Sequence, residues 1–190
     1  VLSINRERSV FMTSLKTPYA PPSWLIGLST GTAVMGITLI TPALPLISAE
    51  MEVGANTVQF LFTSYLIMLA ASQLVVGPFS DLIGRRPFIL AGALLIAIGG
   101  GFTILADNIT TLTAGRVIQG LGAGACISMA RAMINDSFDR QQAARKMASV
   151  QSIQAIVPII ALMSGGAIVM QFGWVGVMWM IFCAGVILTV

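Results

Sequence analysis

The charged and amide side chains inside the long apolar runs of this sequence limit the chemistry that it can do. Arg116 lies inside an apolar run from about Thr111 to Ala130, where a charge costs at least a few kcal/mol on insertion scales. It therefore requires a cavity, water or a partner, unless its long side chain reaches the membrane interface near Thr111. The interiors of the apolar runs hold no Asp or Glu, and an arginine cannot release its proton. If a proton is carried, its acid lies at the end of a run or outside this chain.

Composition and residue types exclude several classes of protein. The 190-residue chain is 56% hydrophobic and 9% charged, with a mean hydropathy of +0.92, which is typical of a membrane protein with several spans. There is no His, and Cys126 and Cys183 both lie in apolar runs, so neither a metal site nor a disulfide framework is expected. Without HExxH spacing, a nucleophile elbow or an acid pair in a span, we predict no enzyme. The net charge of +3 includes no basic run that favours nucleic acid.

Polar side chains on the apolar runs are candidates to line a cavity for a small molecule. On the second run, Gln59, Thr63 and Gln73 fall on one helical face through Ala70, because steps of three, four or seven residues return to the same face. The alternative for each glutamine is a hydrogen bond between helices, which contributes about 0.6 kcal/mol. The candidate cavity residues are Thr38, Gln59, Thr63, Gln73, Gln119, Gln154 and Pro158.

Six apolar runs are long enough to hold these residues in a membrane. A helix rises 1.5 Å per residue, so about 20 residues cross a hydrocarbon core of about 30 Å. Open strands would leave backbone groups unpaired in lipid, so we predict an all-α membrane protein. The approximate bounds of the runs are Trp24–Ile47, Thr57–Gly77, Phe88–Ala106, Thr111–Ala130, Met147–Met170 and Trp174–Val190.

Charge alternates between the loops that join these runs. One set of loops carries every Lys and Arg of the chain except Arg116, and the other set carries acids and no base. Basic loops stay on the cytoplasmic side, so we predict a cytoplasmic N-terminal segment followed by a multi-pass bundle of residues 24–190. The basic set is 1–23, 78–87 and 131–146, and the acidic set is 48–56 and 107–110.

The stretch GPFSDLIGRRPFIL, residues 77–90, lies between the second and third runs. It resembles the cytoplasmic signature of the major facilitator superfamily, G-x-L-a-D-r-x-G-R-[RK]-x-x-x-l, which lies between two spans at the same place. Phe79 replaces the usual Leu, and Leu82 replaces the usual basic residue. The matching residues are Gly77, Asp81, Gly84, Arg85, Arg86 and Leu90.

Two further stretches are similar to signatures of proton-coupled members of that family. Residues 115–125, GRVIQGLGAGA, are similar to the R-x-x-Q-G-x-G signature of the fourth span, in which the Arg is linked to proton coupling. The small residues there also have a packing reason, since they let helices approach closely. Residues 36–45, GITLITPALP, resemble the G-x-x-x-x-x-P-x-x-P signature of drug:proton antiporters of the Bcr/CflA type. The matching residues are Arg116, Gln119, Gly120 and Gly122 in the former, and Gly36, Pro42 and Pro45 in the latter.

Prolines and glycines in the first and fifth runs complete the comparison with antiporters. Pro45 is expected to end the first helix near the outer face. Antiporters show G-P-x-x-G-G in the fifth span, whereas this chain has ALMSGG at residues 161–166. Gly165 and Gly166 are kept, and Pro158, one turn before the lost Gly-Pro pair, can supply the kink instead.

The resemblance implies a gate at the cytoplasmic end. In the family, the Asp of the first signature caps a helix N-terminus, and its Arg pairs with an acid just after the fourth span. In this sequence those residues would be Asp81, Arg85 and Asp136, and breaking the cluster would open the inner side. The alternative is that Arg85 and Arg86 serve only as topology anchors, and both roles can hold at once.

The resemblance further implies half of a twelve-helix transporter. The fold would be one bundle of six helices in two inverted three-helix repeats, with the substrate site at the midplane between two bundles. The expected activity is export of drugs or metabolites across the inner membrane by proton antiport and alternating access, without a cofactor. The expected partners are a small-molecule substrate, the lipid bilayer and a C-terminal six-helix half. Two alternatives stay open: a uniporter of a small neutral metabolite, since no acid lies inside a span, and a six-span fragment with a scaffold role.

Overall fold

The computed structural model describes residues 23–189, with side chains from Ile26 onward. Except for Ser23, the predicted cytoplasmic segment 1–23 lies outside the described residues. Within the described range every regular element is a helix, and the prediction of an all-α chain is confirmed there. The helices are α1 (Ser23–Thr38), α2 (Leu44–Glu50), α3 (Ala55–Ile83), α4 (Arg85–Ile104), α5 (Ile109–Ser137) and α6 (Arg140–Thr189), with a 3-10 turn (Thr41–Ala43) between α1 and α2.

Five helical segments of the described chain are long and apolar enough to cross a membrane. The first is Ile26–Glu50, in which α1, the 3-10 turn and α2 follow one another almost without a break. The other four are α3, α4, α5 and α6.

The last helix, α6, is broken near its C-terminal third. Its 50 residues would extend about 75 Å at 1.5 Å per residue, more than twice the hydrocarbon core. Gly173 interrupts it with φ 68° and ψ −171°, a conformation that glycine reaches without the steric cost of a Cβ. Before the break Ile153 packs against Gly27 of α1, and after it Phe182 packs against Gly100 of α4. We call residues 140–172 and 174–189 the first and second arms of α6.

The helices extend further at one end of the bundle than the apolar pattern predicts. The predicted loop 78–87 is almost entirely helical, because α3 continues through Pro78 to Ile83 and α4 begins at Arg85. Only Gly84 separates the two helices, with φ 107°, again a conformation that suits glycine. The predicted loop 131–146 is likewise reduced to two residues between α5 and α6. Hydropathy reports only the apolar part of a helix, whereas the backbone hydrogen bonds continue where side chains become polar.

The prediction that Pro45 ends the first helix is wrong. Helix α1 already ends at Thr38. Pro42 lies at the start of the 3-10 turn, and Pro45 lies in the first turn of α2. Both prolines occupy positions where the missing N–H has no intrahelical partner to lose. They therefore begin new helical turns within one span.

Helix α5 lies at the centre of the described bundle, with buried residues along most of its length. Its glycines let the neighbours approach closely, as expected for helices packed in a membrane. Gly122 faces the backbone of α4 at Gly92, and Gly124 faces the backbone of α3 at Leu69. This close packing fixes the position of every side chain that α5 presents to α1, α3 and α4.

Candidate functional site

Arg116 on α5 is fully buried, with none of its surface exposed. Its Nη1 donates to Oε1 of Gln119 at 2.7 Å, and its Nη2 donates to the backbone carbonyl of Gly36 on α1 at 2.6 Å. Its guanidinium carbon lies 4.7 Å from the centroid of the Tyr65 ring on α3. The alternative that Arg116 extends to the membrane interface is therefore wrong, because the side chain points inward and joins three helices.

The carbonyl of Gly36 is accessible to Arg116 because α1 ends two residues later, at Thr38. The last four carbonyls of a helix have no intrahelical N–H partner, so the guanidinium supplies the donor. Position 36 also has no room for a side chain, since a Cβ there would lie 2.7 Å from the hydroxyl oxygen of Tyr65. Gly36 thus contributes its backbone to the site and leaves space for the tyrosine.

Tyr65 is a member of this site that the sequence reasoning missed. It is buried, its hydroxyl donates to the carbonyl of Ala33 at 2.8 Å, and its ring faces Arg116. A usable signal was the tyrosine itself, because a hydroxyl inside an apolar run needs an acceptor. We call Ala33, Gly36, Tyr65, Arg116 and Gln119 the Arg116 node.

Two donors of the Arg116 node have no hydrogen-bond partner among the described residues. They are Nε of Arg116 and Nε2 of Gln119, and both are buried. A buried donor without an acceptor costs about 1–3 kcal/mol. The partners of Arg116 among the described residues are the amide of Gln119, the carbonyl of Gly36 and the ring of Tyr65, so no described carboxylate neutralises it. Both atoms are enclosed by protein here, so a bound molecule could reach them only if the neighbouring helices moved apart.

A second polar group lies where α3 and α4 meet the end of α5. Arg85 pairs with Asp81 at 2.5 Å through Nη2 and with Asp136 at 2.9 Å through Nε. Its Nη1 donates to the buried hydroxyl of Ser80 at 2.5 Å. We call these four residues the Arg85 cluster. The structure brings together the three charged residues that the resemblance grouped and adds Ser80, which the sequence reasoning missed.

The helix cap that the resemblance implies for Asp81 does not occur at α4. That helix begins after Gly84, and no side chain caps its N-terminus. Arg86, the next residue of the signature, is exposed, and Gly77 is half-buried on α3. We call this end of the bundle the basic end, since it also carries Arg86, Arg131, Arg140, Arg145 and Lys146.

The candidate cavity residues are dispersed over the described helices. Gln59 lines a cavity of about 650 Å³ between α2 and α3, whose wall also includes Pro45 and Phe62. Gln73 lies about 21 Å further along α3 at 1.5 Å per residue and is half-buried, as are Gln154 and Pro158 on α6.

Three other polar candidates have partners close by. The hydroxyl of Thr38 donates to the carbonyl of Val34, and that of Thr63 donates to the carbonyl of Gln59. Gln119 belongs to the Arg116 node. Of the seven candidates, it is the one whose side chain bonds to the side chain of another predicted site residue, Arg116.

The glycines of the sequence motifs differ in what surrounds them. A Cβ on Gly120 would lie 2.5 Å from the backbone oxygen of Tyr65, and one on Gly165 would lie 3.2 Å from Leu39. A Cβ on Gly166 would meet nothing within 4 Å. Gly120 and Gly165 therefore have a packing reason, whereas the surroundings of Gly166 accept a methyl group.

The opposite end of the bundle is tied by one long-range hydrogen bond. Trp174, the first residue after the break in α6, donates its Nε1–H to Oε2 of Glu50 at the end of α2, at 2.7 Å. The two residues line a groove together with Glu52 and Asp107. We call this end the acidic end. The predicted separation of basic and acidic loops therefore corresponds to two ends of the described bundle.

The chain is similar in sequence to known multidrug resistance proteins. The chain is 33% identical over 151 residues to a "Multidrug resistance protein MdtL" of Escherichia coli O139:H28 and to the protein of that name from Shigella boydii serotype 18. The matched region covers 80% of this chain and 39% of each relative. The chain thus spans about two fifths of the length of the curated relatives it matches.

A family-level comparison extends over all the helices from α1 to α6. The family model described as Major Facilitator Superfamily matches residues 26–190, which include the Arg116 node and the Arg85 cluster. The resemblance seen in residues 77–90 is thereby confirmed, and the expectation of a transporter-type chain and not an enzyme agrees with it. Its helices, its signatures and this match together show that the chain belongs to the Major Facilitator Superfamily.

Proposed function

We propose that this chain is the N-terminal half of a secondary transporter that exports drug-like molecules or metabolites from the cell by proton antiport. The observation that carries the proposal is the match over 80% of the chain to proteins named for multidrug resistance, within a superfamily match from residue 26 to residue 190. Because the chain spans about two fifths of those relatives, the complete pathway requires further chain that forms a C-terminal six-helix half.

The proposed half consists of six spans in two inverted three-helix repeats. The break at Gly173 supports six spans, since it divides α6 into two arms that pack on different helices. The repeats would then be residues 26–104 and 109–189, each with three crossings. Exposed apolar side chains such as Leu74, Leu82 and Met163 support burial of the outer faces in lipid or against the second half.

The basic end is proposed to face the cytoplasm. It carries the exposed Arg86 and the positive residues that begin α6, and such residues are retained on the cytoplasmic side. The N-terminal segment would then be cytoplasmic as well, in the inner membrane of the cell.

The Arg85 cluster is proposed to act as the inner gate. It ties the turn between α3 and α4 to the end of α5 through Arg85 and Asp136, so that part of the basic end is held as one unit. Its charged partners Asp81 and Asp136 are more than half exposed, and ion pairs of this kind contribute little to stability. Weak pairs suit a contact that must form and break in each cycle of alternating access.

The Arg116 node and the cavity beside Gln59 are proposed to take part in substrate passage. The unpaired donors of Arg116 and Gln119 are buried and would meet a substrate oxygen only in a state of the cycle in which α1, α3 and α5 move apart. The cavity beside Gln59 is mainly apolar, with polar groups from Thr41 and Ser48, which suits small amphipathic molecules. Gln73, Gln154 and Pro158 would face the pathway only once the second half is present.

A uniporter of a small neutral metabolite is the second candidate. The observation that favours it is the lack of Asp or Glu inside any apolar run of the sequence, because an antiporter needs a group that exchanges a proton. Antiport therefore requires that the second half supplies this acid, or that an acid at a span end, such as Asp81 or Glu50, does so.

An efflux assay in cells tests the proposal. The full-length protein is expressed in bacteria that lack their main exporters, and the accumulation of a fluorescent cationic dye is followed with and without an uncoupler. We expect lower accumulation in expressing cells and loss of the difference when the uncoupler collapses the proton gradient. A uniporter can only equilibrate the dye, so faster dye entry with an unchanged final level in expressing cells would favour the uniporter. Equal accumulation over a panel of dyes and antibiotics would contradict export altogether.

A further inference from the structure

We propose that Tyr65 is the positioning residue for Arg116 and balances its charge with the face of its aromatic ring, in the place where a carboxylate would otherwise be required. The proposal rests on the proposed transport function for its physiological meaning, but the contact itself is independent of that function. Tyr65 belongs to none of the sequence signatures in this chain. Its assignment depends on three-dimensional contacts between α1, α3 and α5.

Arg116 carries its positive charge on a side chain that is fully buried. A fully buried guanidinium needs partners that offset the loss of hydration. Among the described residues those partners are the amide oxygen of Gln119, the carbonyl of Gly36 and the ring of Tyr65. The first two are neutral dipoles. The ring adds the negative face of a π-system at 4.7 Å, within the distance at which a cation and an aromatic ring attract each other.

The hydroxyl of Tyr65 has a separate role. It donates to the carbonyl of Ala33 at 2.8 Å, one turn before the carbonyl of Gly36 that Arg116 contacts. Tyr65 therefore holds α1 with its hydroxyl and Arg116 with its ring. Arg116 itself contacts the same end of α1 through the carbonyl of Gly36, so the tyrosine fixes the distance between α1 and the arginine of α5.

The surroundings of Tyr65 are shaped to admit it. At Gly36, the three heavy atoms that a Cβ would meet first all belong to the Tyr65 side chain, the nearest at 2.7 Å. At Gly120, a Cβ would lie 2.5 Å from the Tyr65 backbone oxygen. A side chain at either glycine would displace the tyrosine from Arg116. The lack of a side chain at both glycines thus leaves room for the same aromatic residue, Tyr65, between α1 and α5.

The two contacts are separable by substitution. Tyr65→Phe keeps the ring over Arg116 and removes the donor to Ala33, whereas Tyr65→Leu removes both. The matched control is Phe60→Leu, which removes an aromatic ring from the same helix at a position that is 54% exposed. If Tyr65 acts through Arg116, Tyr65→Phe keeps most of the transport rate that Tyr65→Leu loses. The loss caused by Tyr65→Leu then depends on the presence of Arg116.

The experiment is a double-mutant cycle in the full-length protein, with Tyr65→Leu, Arg116→Met and the pair. Initial transport rates in vesicles are measured over a range of substrate concentrations. We expect Tyr65→Leu to lower the rate about tenfold in the presence of Arg116, which corresponds to about 1.4 kcal/mol. In the Arg116→Met background the same change is expected to have an effect within about twofold. Tyr65→Phe is expected to retain about a third or more of the rate, as one lost neutral hydrogen bond would allow.

Two outcomes overturn the proposal. One is an equal loss from Tyr65→Leu with and without Arg116, which would show that the residue only fills space. The other is a Tyr65→Phe variant as impaired as Tyr65→Leu, which would show that the ring is not the operative group. If Arg116→Met does not fold, Arg116→Gln takes its place in the cycle.

A second readout keeps the proposal independent of transport. The same variants are compared by thermal unfolding of the purified protein in detergent. We expect Tyr65→Leu to lower Tm by at least about 3 °C in the presence of Arg116 and by much less in its absence. Coupling in Tm with no transport by the unmodified protein would contradict the proposed function and support the contact. Additive losses in Tm with active transport would overturn the contact and leave the function standing.

Discussion

Asp136→Asn distinguishes a gating role of the Arg85 cluster from a purely structural one. The substitution keeps the size of the side chain and removes the charge that pairs with Nε of Arg85 at 2.9 Å. The side chains of Asp136 and Arg85 are 52% and 25% exposed, so water screens the pair. Exposed ion pairs contribute about 0.2–1 kcal/mol, and 1 kcal/mol corresponds to about 2–4 °C in Tm for a domain of 150–250 residues. We therefore expect Tm to fall by no more than about 4 °C.

The expected effect on transport is larger than the effect on unfolding. If the Arg85 cluster biases the equilibrium between inward-open and outward-open states, a loss of about 1 kcal/mol changes their ratio about fivefold. Initial transport rates in vesicles should then change by a similar factor. The Tm of the variant should stay close to that of the unmodified protein. Both quantities are measured on the full-length chain.

The matched control is Asp139→Asn, three residues further along the chain. Asp139 accepts a hydrogen bond from the backbone N–H of Gln142 at 2.8 Å, and the amide oxygen of an asparagine caps a helix equally well. This control removes the same charge from the same end of the bundle without touching the Arg85 cluster. Equal transport rates for Asp136→Asn and Asp139→Asn would refute the gating role. A fall in Tm of more than about 10 °C for Asp136→Asn would show that the cluster is structural instead.

Three further substitutions test the packing and the ties of the bundle. Gly122→Ala should have a free energy of unfolding about 1–3 kcal/mol below that of Gly166→Ala, and a lower Tm, because both gain helix propensity and only the former meets a neighbouring backbone; equal melting temperatures would contradict the close packing of α5. Trp174→Phe removes the donor to the exposed Glu50 and should cost about 1 kcal/mol, seen as a small fall in Tm; in a Glu50→Ala background, where the acceptor is already absent, the same change should leave Tm almost unaltered. Asn108→Ala removes the side chain that caps α5 by accepting from a backbone N–H at 2.9 Å and should cost about 1 kcal/mol; an unchanged melting curve would show that this end of α5 is held by other contacts.

The existence of the helices was predictable from the sequence, but their ends were not. Long apolar runs must be helical in lipid, and the described part of each predicted run is largely helical, with the fifth and sixth runs together in α6. The runs stop where the residues become polar, whereas α3 continues to Ile83 and α5 to Ser137. Beyond the hydrocarbon core, polar side chains are solvated while the helical hydrogen bonds persist. Hydropathy therefore locates the membrane-embedded part of each helix and underestimates its full length.

The Arg116 node shows where sequence reasoning stops. Arg116 and Gln119 are three positions apart, and neighbours at that spacing share a helix face, so their contact was within reach of a sequence argument. The carbonyl of Gly36 is 80 positions away from Arg116, and its availability depends on where α1 ends. Tyr65 was overlooked because an aromatic residue in an apolar run is ordinarily part of the core. Its role emerges only from the crossing of α1, α3 and α5.

Most of the Arg85 cluster, unlike the Arg116 node, was predicted from the sequence. Its members Asp81 and Arg85 are four positions apart on adjoining helix ends, and Asp136 was assigned through the resemblance of residues 77–90 to a known signature. The structure brings these three residues together. The residues of a substrate cavity were less predictable. Side chains such as Gln73 and Gln154 can be assigned to a cavity wall only when both sides of the pathway are present.

We propose that this chain is half of an exporter driven by a proton gradient. The most direct measurement uses the purified full-length protein in closed vesicles, with substrate outside and an imposed gradient that is acidic inside. We expect uptake against the substrate gradient, together with release of protons from the lumen, and loss of both when the pH is equal on the two sides. Uptake that only equilibrates the substrate, at the same rate with or without the pH gradient, would contradict antiport and identify a uniporter.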